Sequence, residues 1–143
     1  MKTAELFKYK TVLSFEVFPP KPTASDDTIY DTLAELRKLS PDFISVTYGA
    51  GGGANCEKTL AISSAVKNKY GIESVAHLPG INLTKADVLG ILDGFRENNI
   101  ENILALRGDI NPEITAGGDF VHADELIEFI SKNRDFNILA ACY

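Results

Sequence analysis

The stretch FISVTYGAGGGANCEKTLAISSAVKNKYG, residues 43–71, decides the fold class because a strand, a loop and a helix follow one another in it. Its β-branched and aromatic opening predicts a buried strand over residues 43–48. A glycine loop over residues 49–54 leads to a helix predicted at about 57–69, with Gly71 as its left-handed C′ residue. A strand joined to a helix in this way is the repeating unit of a parallel α/β sheet.

The same alternation extends in both directions from this stretch. Strands are predicted at residues 11–18, 72–78, 103–106 and 136–143. Helices are predicted at residues 26–39 behind a Ser25 N-cap, from a capping box at Thr84 and Asp87 to Asn98-Asn99, and around the stripe Ala123, Leu126, Ile127 and Ile130. Alternating strands and helices imply a parallel sheet with crossover helices, either an open doubly wound sheet or an eight-stranded barrel.

Composition narrows the classes of function. The chain has 143 residues and a net charge of −6, so we expect one domain, no nucleic-acid partner and no anionic membrane surface. The start of the chain lacks the apolar core of a signal peptide. Cys56 and Cys142 form no C-x-x-C pair, and two reduced thiols in a cytoplasmic protein are the simplest interpretation. His77 and His122 lack ligand spacing, so no metal is expected.

Glu16 is the strongest single candidate for chemistry. It lies in TVLSFEVF, residues 11–18, which predicts a buried strand that Pro19 ends. Burial would raise the pKa of this carboxyl and suit it to deliver a proton near neutral pH. Period-2 alternation places it on the more polar face, near the carboxyl end of the strand. An exposed strand end, where a charge is harmless, explains the residue equally well.

Other polar residues also close predicted strands, namely Thr47, His77 and Arg107. Arg107-Gly108-Asp109 combines forked donors, a site of close backbone approach and an acceptor for a heterocycle N–H. An Arg–Asp pair closing a turn is the competing interpretation, and His77 also fits a structural role. Either Cys56 or Cys142 could in principle act as a nucleophile.

The glycine loop also fits a dinucleotide-binding pattern, since Gly49, Gly51 and Ala54 match G-x-G-x-x-A between a strand and a helix. The acid that would bind the ribose should close the next strand, whereas Glu73 stands at that strand's start. A loop that lets backbone approach a ligand phosphate or ring explains the same residues.

Four motifs in order resemble the methylenetetrahydrofolate reductase family. They are SFEVFPPK at residues 14–21, SVTYGAGG at 45–52, AHL at 76–78 and LALRGD at 104–109, and AACY at 140–143 looks like the start of a fifth. The resemblance implies a flavin-bearing (β/α)8 barrel of the TIM type. This chain would cover its first four βα units plus strand 5, as the N-terminal half of a single catalytic domain spanning residues 1–143.

The family resemblance also implies an activity. Such enzymes reduce 5,10-methylenetetrahydrofolate to 5-methyltetrahydrofolate, a step of one-carbon metabolism and methionine biosynthesis, with NADH or NADPH reducing bound FAD. Glu16 would be the general acid that opens the folate ring to an iminium before hydride transfer, and Asp109 would lie close to both flavin and pterin. The implied FAD contacts are Thr47, Tyr48, Ala50, His77, Arg107, Gly108, Asp109, His122, Ala123 and Tyr143.

Three features depart from the family pattern. Pro79-Gly80 replaces a common Thr-Cys, and His122 stands where a tyrosine is common. A complete barrel needs about 250 residues, so we expect an N-terminal fragment or a truncated product that pairs with a partner or a second copy. A non-catalytic half-barrel that binds flavin or a partner subunit, and an open-sheet nucleotide-binding domain, remain as alternatives.

Overall fold

The computed structural model describes residues 1–20, 25, 27–48, 53–109 and 117–141, without the side chains of residues 53–55. The expectations for Ala50 and Tyr143, for Gly49 and Gly51 of the glycine loop, and for Cys142 lie outside the described residues.

Strands and helices alternate through the described part of the chain. The strands are Ser14–Val17 (β1), Phe43–Val46 (β2), Glu73–Pro79 (β3), Asn102–Leu106 (β4) and Asn137–Ala140 (β5). The α-helices are Asp27–Arg37 (α1), Gly53–Ser64 (α2), Lys85–Glu97 (α3) and Ala123–Asn133 (α4). A 3-10 turn over Thr3–Lys8 precedes β1, and a π-helical turn over Ala65–Lys69 extends α2.

Local signals set several boundaries as predicted. Thr84 Oγ1 accepts from the Asp87 backbone N–H while the Asp87 carboxylate accepts from the Thr84 backbone N–H, so the predicted capping box starts α3. Ser25 Oγ accepts from the Asp27 N–H at 3.2 Å, as an N-cap does. Gly71 adopts φ +69° directly after the π-helical turn, as predicted for a C′ residue.

Other boundaries differ from the predictions. β1 covers four residues instead of the predicted 11–18, and β5 ends at Ala140 within the described residues. α2 begins at Gly53 rather than near residue 57, so most of its first turn comes from residues taken for loop. Both outer strands have a paired neighbour on one side only, and such strands are shortened more easily than central ones.

The order of the strands decides between the two architectures. All neighbouring strands are parallel, and the sheet runs β1-β2-β3-β4-β5 in chain order. A doubly wound sheet reverses its order at a switch point and places helices on both faces. A sequential order with right-handed crossovers places all helices on one face, as in a barrel. The α/β fold with parallel strands, a partial TIM barrel, is therefore confirmed.

The outer face of the sheet carries the hydrophobic core. Ile44 and Val46 of β2 pack with Leu33 of α1, and Ile103 of β4 packs with Leu92 of α3. All five side chains are fully buried. At roughly 1.5–3 kcal/mol for each large apolar side chain, this burial is the main force holding helices to the sheet.

The inner face carries the polar residues. The register aligns one row across all strands: Glu16, Ser45, Val75, Asn102 and Asn137. His77 lies two residues farther along β3 on the same face, toward the carboxyl ends of the strands. Within their own strands, Glu73, Asn102 and Asn137 are the first residues of β3, β4 and β5, whereas Glu16 is the next-to-last residue of β1. By this position in the strand we define an amino rim, around Glu73, Asn102 and Asn137, and a carboxyl rim, around Glu16, Thr47, His77 and Arg107.

The amino rim is closed by the N-terminal segment. Asn102 Oδ1 accepts from the Thr3 backbone N–H at 2.7 Å and from Asn137 Nδ2 at 3.0 Å, and Asn102 is fully buried. The ring of Phe7 meets that of Phe43 edge-on, with centroids 6.5 Å apart. These contacts cover the part of the inner face near the amino rim, at the opposite end of the strands from Glu16 and His77. In the described part of the chain, no helix is long and apolar enough to cross a bilayer.

Candidate functional site

The carboxyl rim gathers the predicted site residues that the structure describes from the ends of different strands. Glu16 comes from β1, Thr47 and Tyr48 follow β2, His77 lies in β3, and residues 107–109 follow β4. Since parallel strands end at the same edge of a sheet, these elements bring together residues that are distant in sequence.

Glu16 is half exposed, and the expectation that it is buried is wrong. Its side chain retains 47% of its exposure. β1 is an outer strand that pairs only with β2, and no helix or strand of the described residues covers the Glu16 side chain. The side chain therefore keeps the water that burial was expected to remove, although it lies on the predicted face and near the predicted strand end.

His77 is the direct neighbour of Glu16. Its side chain is 8% exposed, and Nε2 lies 3.4 Å from Glu16 Oε2. The orientation does not satisfy a hydrogen bond, so Nε2 is buried without a hydrogen-bond partner. Burial lowers the pKa of His77, while the nearby Glu16 carboxylate acts in the opposite direction. The ring is therefore neutral near pH 7, and the contact joins a carboxyl group to a neutral imidazole.

The sheet register explains why these two side chains meet. Glu16 aligns with Ser45 and Val75, whereas His77 aligns with Leu104. Glu16 therefore reaches across β2 and toward the carboxyl ends of the strands to approach Nε2. The contact holds the carboxyl group over the open part of the inner face.

Tyr48 forms a second polar pair, with Cys56 of α2. Burial raises the pKa of the Tyr48 hydroxyl, and its hydrogen bond to Cys56 adds to the shift. Burial also raises the pKa of the Cys56 thiol, although the Tyr48 hydrogen bond opposes this. A catalytic cysteine needs a lowered pKa, so Cys56 is unsuited to act as a nucleophile. Nearby, Thr59 Oγ1 donates to the Thr47 carbonyl at 3.1 Å and fixes the end of β2.

Gly108 has a backbone conformation that residues with a side chain cannot easily adopt. Its φ is +85°, and a Cβ placed there would come within 2.8 Å of both Ile81 Cγ2 and Pro79 Cβ. The Ile81 N–H donates to the Arg107 carbonyl at 2.8 Å and joins the loops that follow β3 and β4. Glycine thus allows close approach to the backbone at this turn, as expected. What approaches it in the structure is the loop after β3 of the same chain.

Arg107 and Asp109 do not pair with each other in the part of the chain that the structure describes. Arg107 Nε donates to the Gly108 carbonyl at 3.1 Å, and Asp109 is exposed. The turn is therefore not closed by an Arg–Asp ion pair, and among the described residues the Gly108 carbonyl is the one acceptor that the Arg107 guanidinium contacts.

Pro79, one of the departures from the family pattern, fits the end of β3. The Gly80 N–H donates to the Leu106 carbonyl at 2.9 Å, so residue 80 faces β4 and residue 79 faces the β2 side. β2 ends at Val46, which pairs with Ala76, so the β2–β3 ladder stops three residues before Pro79. The missing N–H of proline therefore costs no ladder hydrogen bond.

His122 and Ala123 start α4 and stand apart from the Glu16–His77 pair. Glu125 Oε2 accepts from the backbone N–H groups of Val121 at 2.6 Å and His122 at 3.0 Å. These bonds lower the pKa of Glu125. The structure gives no direct polar contact between His122 and Glu16 or His77 in the described residues. Among the described residues, no three His, Cys, Asp or Glu side chains lie close enough together to hold a metal ion.

A family model described as Methylenetetrahydrofolate reductase matches residues 2–143, nearly the whole chain. The chain belongs to the methylenetetrahydrofolate reductase family. This confirms the family that the ordered motifs around Glu16, Thr47, His77 and Arg107 indicated.

Individual proteins that are similar in sequence to this chain are named as members of the same family. The chain is 34% identical to the 5,10-methylenetetrahydrofolate reductase of Escherichia coli (strain K12) over 131 residues, 92% of this chain and 43% of that protein. It is 32% identical to the enzyme of the same name from Buchnera aphidicola subsp. Schizaphis graminum, over 99% of this chain and 48% of that protein. It is 33% identical to a probable methylenetetrahydrofolate reductase (NADH) of Oryza sativa subsp. japonica, over 94% of this chain and 23% of that protein. The chain spans less than half the length of these relatives.

The dinucleotide-binding alternative is wrong for this member of the family. The strand order has no switch point, and Glu73 lies at the amino rim, at the other end of the sheet from a ligand at the carboxyl ends. Glu73 Oε1 instead accepts from Lys67 Nζ at 2.5 Å and from the Met1 amino group at 3.0 Å.

Two residues that shape the rims were not predicted from the sequence: Thr59, which fixes the Thr47 carbonyl, and Asn102, which organises the amino rim. Cys56 was considered as a nucleophile, whereas the structure pairs it with Tyr48. The helical position of Thr59, facing the end of β2, was a usable signal. Asn102 had none, because it bonds a residue 99 positions away in sequence.

Proposed function

We propose that the protein containing this chain reduces 5,10-methylenetetrahydrofolate to 5-methyltetrahydrofolate, with NADH or NADPH as the electron donor and FAD bound at the carboxyl rim. The observation that carries the proposal is the half-exposed carboxyl of Glu16, which lies 3.4 Å from His77 Nε2 on the inner face. Family membership supplies the class of reaction. The geometry supports a proton donor that solvent or a ligand can reach.

The residues at the carboxyl rim suit a flavin. The forked donors of Arg107 match phosphate or carbonyl oxygens. A Cβ at residue 108 would come within 2.8 Å of Ile81 and Pro79, so glycine lets the loops that follow β3 and β4 lie close together. When bound, FAD supplies the hydride. The proposed contacts are Thr47, Tyr48, Ala50, His77, Arg107, Gly108, Asp109, His122, Ala123 and Tyr143.

Glu16 acts on the folate in this proposal. Its Oε proton passes to a nitrogen of the five-membered ring, the carbon–nitrogen bond breaks, and the electron pair stays on that nitrogen. After turnover Glu16 regains its proton from solvent, to which it is half open. In this proposal Asp109 accepts from a heterocycle N–H and orients the substrate.

The two outer strands, β1 and β5, pair on one side only within the described residues. Open edges of this kind invite pairing with other chains. We include in the proposal that further strands, from a longer chain or from a second copy, cover both edges and complete the barrel. A cytoplasmic enzyme that uses small-molecule substrates is the setting that this proposal implies.

The direct test uses the full-length gene product. Purified protein should show flavin absorbance and should oxidise NADH or NADPH in a manner that depends on methylenetetrahydrofolate. Size-exclusion chromatography with light scattering should give the mass of a completed barrel or of an oligomer. Flavin retention with no folate-dependent oxidation would instead support a flavin-binding protein without turnover. Absence of both flavin and turnover would contradict the proposal.

A further inference from the structure

We propose that His77 is a positioning residue for Glu16, and that its Nε2 hydrogen-bonds the Glu16 carboxyl group in both protonation states of that acid. The inference rests on the proposed function, in which Glu16 is the proton donor. It adds a role for His77 that contact with the flavin alone does not require.

Among the described residues, the Glu16 carboxyl group is the polar group that lies against His77 Nε2. Nε2 lies 3.4 Å from Glu16 Oε2, is buried, and has no hydrogen-bond partner in the described residues. A buried polar atom without a partner costs about 1–3 kcal/mol, so native proteins rarely leave one unless it serves a purpose. A small rotation of the Glu16 side chain would bring its carboxyl group into the orientation that a hydrogen bond to Nε2 needs. Glu16 can make this rotation because its side chain is half exposed.

A neutral imidazole can serve either form of the acid. When Glu16 carries its proton, its O–H donates to an unprotonated Nε2. When Glu16 is ionised, the other tautomer donates its Nε2–H to the carboxylate. Burial keeps the ring neutral near pH 7, so both arrangements are available.

The neutrality of this partner matters for an acid. A lysine or arginine at this position would hold Glu16 as a carboxylate and make it a poorer proton donor. The amino rim shows this alternative, because Glu73 lies against the Lys67 ammonium at 2.5 Å. Burial alone would lower the pKa of Lys67, yet its hydrogen bond to Glu73 and the surrounding carboxylates raise it. A neutral histidine orients the Glu16 carboxyl group and can hydrogen-bond both its protonated and its ionised form.

The first test observes the contact itself. In the full-length gene product with 15N-labelled histidine, the ring nitrogen signals of His77 are assigned with H77N and followed through a pH titration. Glu16→Gln should lower the pKa of His77, because the Glu16 carboxylate raises it, and should shift the Nε2 signal. E128Q, an exposed glutamate that pairs with Lys132 on α4, is the matched control and should leave both unchanged. An E16Q protein with unchanged His77 signals would overturn the inference.

The second test separates positioning from flavin binding. A glutamine amide reaches about as far from the backbone as Nε2, whereas an asparagine amide reaches only as far as Nδ1. The measured quantity is the ratio of folate-dependent turnover to NAD(P)H oxidation with an artificial acceptor, each expressed per bound flavin. H77N should lower this ratio at least about tenfold, and H77Q should restore it to within about threefold of the parent. Equal ratios in the parent, H77N and H77Q would overturn the inference.

The two proposals fail in different ways. If E16Q retains folate turnover, Glu16 is not the acid and the proposed function loses its proton donor, whatever His77 does. If E16Q loses turnover while H77N keeps the parent ratio, the function stands and the positioning role is wrong. If H77N does not retain flavin, the titration of His77 in E16Q still decides whether the contact exists.

Discussion

The amino rim and the carboxyl rim carry similar polar side chains on the same sheet. These side chains differ in their hydrogen bonding and in their exposure. At the amino rim, Asn102, Asn137 and Thr3 bond one another, and Glu73 pairs with Lys67. At the carboxyl rim, Glu16 is half exposed and His77 Nε2 has no hydrogen-bond partner. Satisfied polar groups stabilise a fold, while unsatisfied ones at a strand end remain available for a ligand. The difference separates an end of the sheet whose polar groups hold the fold together from an end where the proposed function places binding.

The largest effect on stability is expected at the amino rim. Asn102→Leu removes the acceptor of the Thr3 N–H and the donors to the Met1 and Ser74 carbonyls, and leaves these buried groups unpaired. The free energy of unfolding should fall by about 3 kcal/mol, measured by urea denaturation. N133A, at an exposed position of α4, is the control and should change it by less than about 0.5 kcal/mol. An N102L protein as stable as the parent would break the contrast between the rims.

The carboxyl rim also has one position, Gly108, where the backbone conformation requires glycine for stability. Gly108→Ala should lower the free energy of unfolding by about 2 kcal/mol, because φ is +85° and the new Cβ meets Ile81 and Pro79. Gly90→Ala is the matched control. Gly90 lies inside α3 with open space around it, so alanine should stabilise the helix by up to about 1 kcal/mol. If both variants shift stability in the same direction, the account of Gly108 is wrong.

The pH dependence of stability should report the buried ring of His77. Its folded pKa lies below the unfolded value of 6.5 because of burial. The unfolded chain therefore binds a proton first as the pH falls below 6.5. The free energy of unfolding is thus highest above that pH and decreases toward the folded pKa, by at most about 1.4 kcal/mol per pH unit. Urea denaturation between about pH 7.5 and 5.5 should show a shallower slope for H77Q than for the parent. An identical slope would show that His77 is not buried as described.

The smallest effect is expected at Cys56. Burial raises the pKa of its thiol, so little thiolate is present to act as a nucleophile. Cys56→Ser keeps a hydroxyl that can pair with Tyr48, and folate-dependent turnover should change by less than about twofold. A loss of turnover with flavin still bound would restore the catalytic cysteine as a candidate.

Local signals allowed much of the fold to be predicted from sequence. The periodic stripes of α3 and α4, the Thr84–Asp87 capping box and Gly71 depend on residues close in the chain, and each was found where the sequence indicated. The strand order required the structure, since alternation alone fits both an open sheet and a barrel. The positions of Glu16, His77 and Arg107 near strand ends followed from the pattern of strands and loops.

Exposure and pairing could not be predicted in the same way. The apolar sequence around Glu16 suggested burial, yet exposure depends on which element covers the inner face, and none of the described residues covers it there. The Glu16–His77 contact needs the register of three strands, and the Asn102 network joins residues far apart in sequence. Such long-range relations leave no trace in the periodicity of a single segment.

The most direct test of the division between the rims compares the same substitution at both ends of the sheet. Glu16→Gln and Glu73→Gln each replace a carboxylate by an amide, and turnover, bound flavin and the free energy of unfolding are measured for both in the full-length gene product. E16Q should lower folate-dependent turnover by about 10²- to 10⁴-fold and change stability by less than about 0.5 kcal/mol.

E73Q should keep turnover within about twofold and lose about 2 kcal/mol of stability, since it weakens the pair with Lys67. An E16Q protein that still reduces methylenetetrahydrofolate at the parent rate, or an E73Q protein that loses turnover at unchanged stability, would contradict the assignment of chemistry to the carboxyl rim.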